Sequence, residues 1–200
     1  MIVVVGIGPG ALAHLTPEAQ REIERAEVLV GGARHLALFP AFAGVTRRLD
    51  ADLPALAAWL DGQKHRRVVV LASGDPLLYG IGKLLCAHFS PADLRLAPGI
   101  SAVQYLCSRA ALDMNDLYLT SSHGREPDFD WILQHDKVAM VTDGRIGPRA
   151  IADAILQRRL ARTLIIGENL SLPDERIHRL QPQEVAQRYD MNVVVILNER

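Results

Sequence analysis

An α/β fold of two lobes, with mainly parallel-type sheets, is predicted by three observations. Short runs rich in Val, Ile and Leu alternate with helical patterns along all 200 residues, the order that builds α/β proteins. Several runs, such as "IVVV" at 2–5 and "VVVL" at 68–71, are apolar at every position. A strand open to water on one face would alternate, so continuous runs indicate burial on both faces and a largely parallel sheet. At "LDMNDL" (112–117) Asp and Asn interrupt a helical pattern and a strand pattern restarts, which sets the expected lobes at 1–112 and 113–200.

The elements follow in order. Strands are expected at 2–5, 27–30, 67–71, 94–97, 117–120, 138–141, 163–166 and 192–197, with a weaker one at 44–49. The first helix starts at Thr16-Pro17-Glu18. Threonine can accept an N–H bond as N-cap, and proline at the first helical position loses no bond. Ala19, Ile23 and Ala26 then recur at helical spacing. Further helices are expected at 52–60, 77–89, 100–111, 148–160 and 182–189.

Composition narrows the function. The chain is 49% apolar, with 22 Lys+Arg against 23 Asp+Glu. That balance offers no basic face for nucleic acid. The pairs Arg47-Arg48, Arg66-Arg67 and Arg158-Arg159 are expected on solvated faces. Cys86 and Cys107 sit in apolar helical contexts without metal-ligand spacing. They are expected to be reduced core thiols of a cytoplasmic protein. The start "MIVVVGIGPG" has no basic segment and breaks its apolar run early, so it is expected to be a first strand and not a signal peptide. No membrane span is expected, since no apolar stretch reaches roughly 18 residues. The histidines are scattered, so no protein metal site is expected.

"VVVGIGPGA" invites a dinucleotide reading, and three details oppose it. A phosphate loop runs straight into a helix N-terminus, whereas "ALAHL" intervenes here before Thr16. Pro9 removes an N–H donor from the loop. No Asp or Glu follows "VLVGGAR" to hold a ribose, although Arg34 leaves an NADP reading open. The glycines can also simply turn the chain. Against that, Gly31-Gly32, Gly74, Gly99 and Gly144 also stand at or beyond strand ends, where open α/β sheets bind ligands. Asp75 has two readings as well. It can cap a helix that begins at Pro76, or it can present a carboxylate at the ligand edge. In "PGISA", small residues at a helix start would let a ligand lie against exposed N–H groups.

Taken together, GxGPG at 6–10, "GDPLLYGIG" (74–82), "PGISA" (98–102) and "GENLSLPDE" (167–175) resemble the tetrapyrrole methylase family over essentially the whole chain. That family moves a methyl group from S-adenosylmethionine onto corrinoid precursors. "LVGGARHL" (29–36), "GDPLLYGIG" and "ENLSLPDERI" (168–177) are most similar to the branch that methylates C5 of (cobalt-)precorrin-7 or a precorrin-6 type intermediate. In longer relatives that domain is fused to a C15-methylating, decarboxylating partner, which is here expected to be a separate protein. The resemblance implies a cofactor folded in a cleft between two lobes, and a homodimer. It implies cofactor contacts at Pro9, Gly74, Asp75, Leu78, Ser101 and Ala102, and, by a looser match, at Thr142 and Leu170, mostly through main-chain atoms. Many relatives carry an acidic residue after the second strand; this chain has Gly31-Gly32, so no general base is carried over.

Methyl transfer from a sulfonium is an in-line displacement that needs mainly a near-attack geometry. No hydrolase triad or GxSxG elbow accompanies Ser101, Ser121 or Ser122. The substrate would carry many carboxylates, so cations and donors beside glycine-rich loops are its candidate contacts: Arg34, His35, His123, Arg125 and Arg145. "TSSHGREPD" (120–128) is the expected substrate-facing segment. Two alternatives remain: a family member acting on another ring carbon, and a non-catalytic nucleotide-binding or subunit-interaction module.

Overall fold

The computed structural model describes residues 1–50 and 52–199 and divides into two compact units, Met1–Ser101 and Ala102–Arg200. The first unit holds β1 (Ile2–Gly6), α1 (Pro17–Glu24), β2 (Val28–Gly31), α2 (Ala33–Leu36), β3 (Val45–Arg48), α3 (Leu53–Gly62), β4 (Val68–Ala72), α4 (Gly82–His88) and β5 (Leu94–Ala97). Its sheet has the order β3-β2-β4-β1-β5, and every pairing is parallel. The continuous apolar runs have the expected cause. Ile2 and Val4 pack on one face with Leu56, Leu60, Leu85 and Phe89, whereas Val3 and Val5 pack on the other with Ala19 and Ile23. Each such side chain contributes about 1.5–3 kcal/mol when fully buried. Thr16 Oγ1 accepts the Ala19 N–H at 3.1 Å and caps α1 as expected.

This topology creates a crevice. β1 and β4 are neighbours, yet β1 leads to α1 on one face and β4 leads to α4 on the other. Adjacent strands whose connections leave to opposite faces form the switch point at which open α/β sheets bind ligands.

The second unit holds α5 (Ala102–Arg109), β6 (Tyr118–Ser121), α6 (Phe129–Ile132), β7 (Lys137–Val141), α7 (Pro148–Gln157), β8 (Arg162–Glu168), β9 (Arg176–Leu180) and β10 (Asn192–Asn198). The expectation of a mainly parallel sheet does not hold here. The order is β6-β7-β10-β8-β9, and only β6 and β7 pair in parallel. A parallel neighbour needs a crossover of a dozen or more residues, usually a helix. The turn-rich segment 169–175 between β8 and β9 cannot supply one. α7 does supply a crossover from β7 to β8, and β10 inserts between these two strands antiparallel to both. The unit division falls one helix earlier than the sequence-based boundary at 112/113. The reason is that Val103, Leu106 and Cys107 of α5 pack with Ala139, Ile165 and Val195 of the second sheet.

Other expectations are corrected locally. No helix starts at Pro76: α4 begins at Gly82, whose N–H bonds Pro76 O at 2.9 Å. The chain wraps so closely around that carbonyl that a Cβ at Gly80 or Gly82 would lie 2.6 or 2.5 Å from it. The helix expected at 182–189 is a single 3-10 turn, Pro182–Glu184. Val185 leaves it in extended conformation and drops into the core beside Ile151 and Leu164. Cys107 is buried as expected, but Cys86 on α4 is exposed and is not a core thiol. Among the described residues, no helix is long and apolar enough to cross a membrane.

Candidate functional site

Three loops of the first unit meet at the switch point. Gly8 and Gly74 form an antiparallel bridge, with Gly74 N–H on Gly8 O at 2.9 Å. A Cβ on Gly99 would stand 2.2 Å from Gly74 O and 2.7 Å from Gly6 Cα, and one on Gly6 would stand 2.4 Å from Gly74 O. The backbones of 6–10, 73–76 and 98–101 therefore touch, and only glycine permits it. The spacing GxGPG, GDP and PG is explained by this contact.

Asp75 fastens the assembly. Its Oδ1 accepts the Leu77 N–H at 2.8 Å, and its Oδ2 accepts the Gly99 N–H at 3.2 Å. The helix-cap reading is thereby corrected: the carboxylate closes a local turn and ties the β4 loop to the β5 loop. Pro9 and Gly74 are buried in this cluster, Leu78 is half-buried, and Ser101 is 3% exposed. Ala102 begins α5, as expected. Leu12, Leu77, Tyr79 and Ile100 stand exposed on the same loops and give the edge an apolar rim.

The β2 loop joins the β4 loop through a residue that the sequence reading passed over. Ser73 Oγ lies 3.3 Å from Arg34 Nη2 and 3.2 Å from His35 Nε2. His35 Nδ1 is buried and has no hydrogen-bond partner among the described residues. Burial, and then the adjacent Arg34 guanidinium, hold the His35 pKa below the usual histidine range. The signal for Ser73 was its place between an apolar strand and Gly74-Asp75.

In the second unit Thr142 ends β7 and donates to Asn192, with its Oγ1 2.7 Å from the main-chain oxygen and 2.8 Å from Oδ1. It lines a cavity of about 610 Å³ together with Asp143, Arg145, Arg149, Arg188 and Asp190. This cavity brings together one expected cofactor contact and one expected substrate contact. Arg145 also faces Glu126 at 3.5 Å. His123 and Arg125 are turned onto their own loop, His123 toward Ser121 Oγ and Arg125 toward Ser121 O and Thr120 Oγ1. Leu170 is 4% exposed and packs beside Leu106, so its side chain belongs to the core of the second unit. Among the described residues, no group of three His, Cys, Asp or Glu could hold a metal ion.

The loop carrying Leu170 rests on a polar network that the sequence did not disclose. Glu168 accepts the Asp190 N–H at 2.6 Å and lies 3.2 Å from His178 Nε2. Asn169, at φ 49°, reaches Asp174 at 2.6 Å. Burial alone would raise the Glu168 pKa, but the Asp190 N–H, His178 and Arg176 outweigh it and lower it. A lowered folded-state pKa gives stability that is complete above the unfolded value of about 4.3 and lost as pH falls through the folded value. Acid unfolding of Glu168→Gln, followed by circular dichroism, is therefore expected to show a weaker loss of stability below about pH 4.3 than the parent.

A parallel sheet whose switch point is lined by converging glycine loops, with no helix N-terminus behind the first loop, defines an α/β protein with main chain gathered at the sheet edge where this class of fold binds ligands. The chain belongs to the family of Tetrapyrrole (Corrin/Porphyrin) Methylases, whose model matches residues 1–186. It is 53% identical to the cobalt-precorrin-7 C(5)-methyltransferase of Salmonella typhimurium, over 100% of both chains. It is 31% identical to the decarboxylating precorrin-6Y C(5,15)-methyltransferase of a Sinorhizobium species, covering 98% of this chain and 48% of that longer one. Its fold matches the uroporphyrin-III C-methyl transferase of Thermus thermophilus complexed with S-adenyl homocysteine, at a TM-score of 0.78, 20% identity and coverage of 98% and 96% of the two chains.

Proposed function

We propose that this chain is an S-adenosylmethionine-dependent C-methyltransferase of cobalamin biosynthesis, acting on C5 of cobalt-precorrin-7 or its metal-free counterpart. The observation that carries the reading is the end-to-end identity of 53% with the Salmonella enzyme of that activity. The glycine cradle fits the cofactor class: where Gly6, Gly8, Gly74 and Gly99 come together, main-chain donors and carbonyls are not covered by side chains of those residues. S-adenosylmethionine supplies a methyl group already activated on a sulfonium.

The chain's own work is placement. Gly74, Asp75 and Leu78 hold the donor with Pro9 and Ser101 at the edge of the first unit; Ala102, Thr142 and Leu170 are the second unit's own candidate cofactor contacts. Asp75 fixes the loops and needs no proton chemistry of its own. The exposed apolar rim of Leu77, Tyr79 and Ile100 suits the face of a flat macrocycle. Arg34, with His35 beside it as an uncharged hydrogen-bonding group, and Arg145 in the second unit's cavity are each offered to its carboxylates; His123 and Arg125 can join only by leaving their own loop. The protein works in the cytoplasm as a homodimer. A C15-methylating, decarboxylating partner is proposed for this chain, a reading supported by the name of the longer Sinorhizobium relative, of which the match covers 48%.

Calorimetry with S-adenosylhomocysteine is expected to give saturable one-site binding, with the corrinoid substrate added if required. Absence of binding in folded protein removes the methyltransferase reading and leaves the interaction module. Isotopic methyl labelling and NMR of the product are expected to place the new methyl on C5; a label on another ring carbon selects a different member of the family.

A further inference from the structure

Charge conservation during methyl transfer demands a proton acceptor. The donor begins as a sulfonium cation and ends as a neutral thioether. The S–CH3 bond breaks, and a C–CH3 bond forms with an electron pair of the macrocycle, which is left one charge more positive. It discharges that charge by releasing a proton from carbon or nitrogen.

At the ligand edge of the first sheet the groups on β2 and β4 loops divide clearly. Both Asp75 oxygens are occupied by main-chain N–H groups. Arg34 is a permanent cation. His35 is half-buried, with Nε2 3.2 Å from Ser73 Oγ. Ser73 is exposed and immediately precedes Gly74 of the cradle. Arg34 donates to the same oxygen at 3.3 Å, which leaves the hydroxyl hydrogen free to point at Nε2.

We propose that His35, acting through the Ser73 hydroxyl, accepts the proton released on methyl transfer. Ser73 Oγ takes the proton from the macrocycle and passes its own to Nε2, giving imidazolium. Burial, and then the charge of the neighbouring Arg34, favour the neutral form of His35, the form a base needs. No acceptor stands at Nδ1 to hold the imidazolium, so it returns its proton to solvent. The assignment rests on the methyltransferase reading of the same site and names a positioning and relay pair for it.

The test measures S-adenosylhomocysteine affinity and the pH dependence of kcat in the parent, His35→Gln, Ser73→Ala and Arg34→Gln proteins. In the parent, kcat is expected to fall on the acid side as His35 protonates. His35→Gln should bind S-adenosylhomocysteine within about twofold of the parent, lose about 10²–10⁴-fold in kcat and lose the acid limb. Ser73→Ala should lose the same limb. Arg34→Gln should move the limb to higher pH, because a neighbouring cation is gone. Added imidazole should restore turnover to His35→Ala. A His35→Gln protein with the parent's rate and limb overturns the proposal. So does a limb that survives there and disappears in His14→Gln, the other histidine near this edge. Loss of binding and turnover together in His35→Gln, with no imidazole rescue of His35→Ala, makes His35 structural and overturns it too. A parent protein that binds no S-adenosylhomocysteine sinks the methyltransferase reading itself, a result separable from all of these.

Discussion

Gly99→Ala is expected to lower stability by about 3 kcal/mol, at the upper end for overpacking, and to abolish S-adenosylhomocysteine binding. The new methyl would lie 2.2 Å from Gly74 O and 2.7 Å from Gly6 Cα. Both obstacles are main chain, so no rotamer change relieves them. The β5 loop must withdraw, and the three-loop contact opens. Urea unfolding reads the first effect and calorimetry the second. Gly62→Ala is the control: apart from its chain neighbours and its own helix backbone, no atom lies within 4 Å of its added Cβ, and it closes α3. It should be neutral or slightly stabilising, because alanine loses less chain entropy in a helix. Equal losses in both variants would mean that the contact between the loops carries no special weight.

Asp75→Ala is expected to leave the fold intact while weakening S-adenosylhomocysteine binding at least about tenfold, or about 1.4 kcal/mol. The carboxylate accepts N–H groups from two loops, and bonds to a charged acceptor contribute about 1.5–3 kcal/mol each when protected from water. Asp75 is only half-buried, so the stability loss should stay near about 1–2 kcal/mol. Asp75→Asn keeps one acceptor oxygen and should fall between. Unchanged affinity in Asp75→Ala would remove this residue from the cofactor site.

The first sheet was legible because burial on both faces forces apolar residues at every position, as in Val68–Ala72. β9 was not legible: "RIHRL" is an edge strand, half exposed, and its polarity follows from that position. The helix expected from 77 was misread because Leu77 and Leu78 suggest a helical face, whereas Gly80 and Gly82 let the chain circle the Pro76 carbonyl. Strand direction in the second sheet is set by which strands become neighbours, and no local pattern records it. The same limit hid the Ser73–His35 contact, which joins residues 38 positions apart. The glycines of the cradle were visible as a spacing, and their mutual contact was not. Asp75 was visible as an anomaly at a strand end; that it bonds the Gly99 N–H depends on β1 lying between β4 and β5.

The place of β10 between β7 and β8 has a consequence for biogenesis. The strand that fills the middle of the second sheet is the last of the described strands to leave the ribosome. Until it emerges, the facing rims of β7 and β8 display bare amide and carbonyl groups in a nascent chain, a condition that invites wrong pairing between molecules. Slow translation of the segment that carries β10 should therefore lower the yield of native protein, and a holdase that shields those rims should raise it.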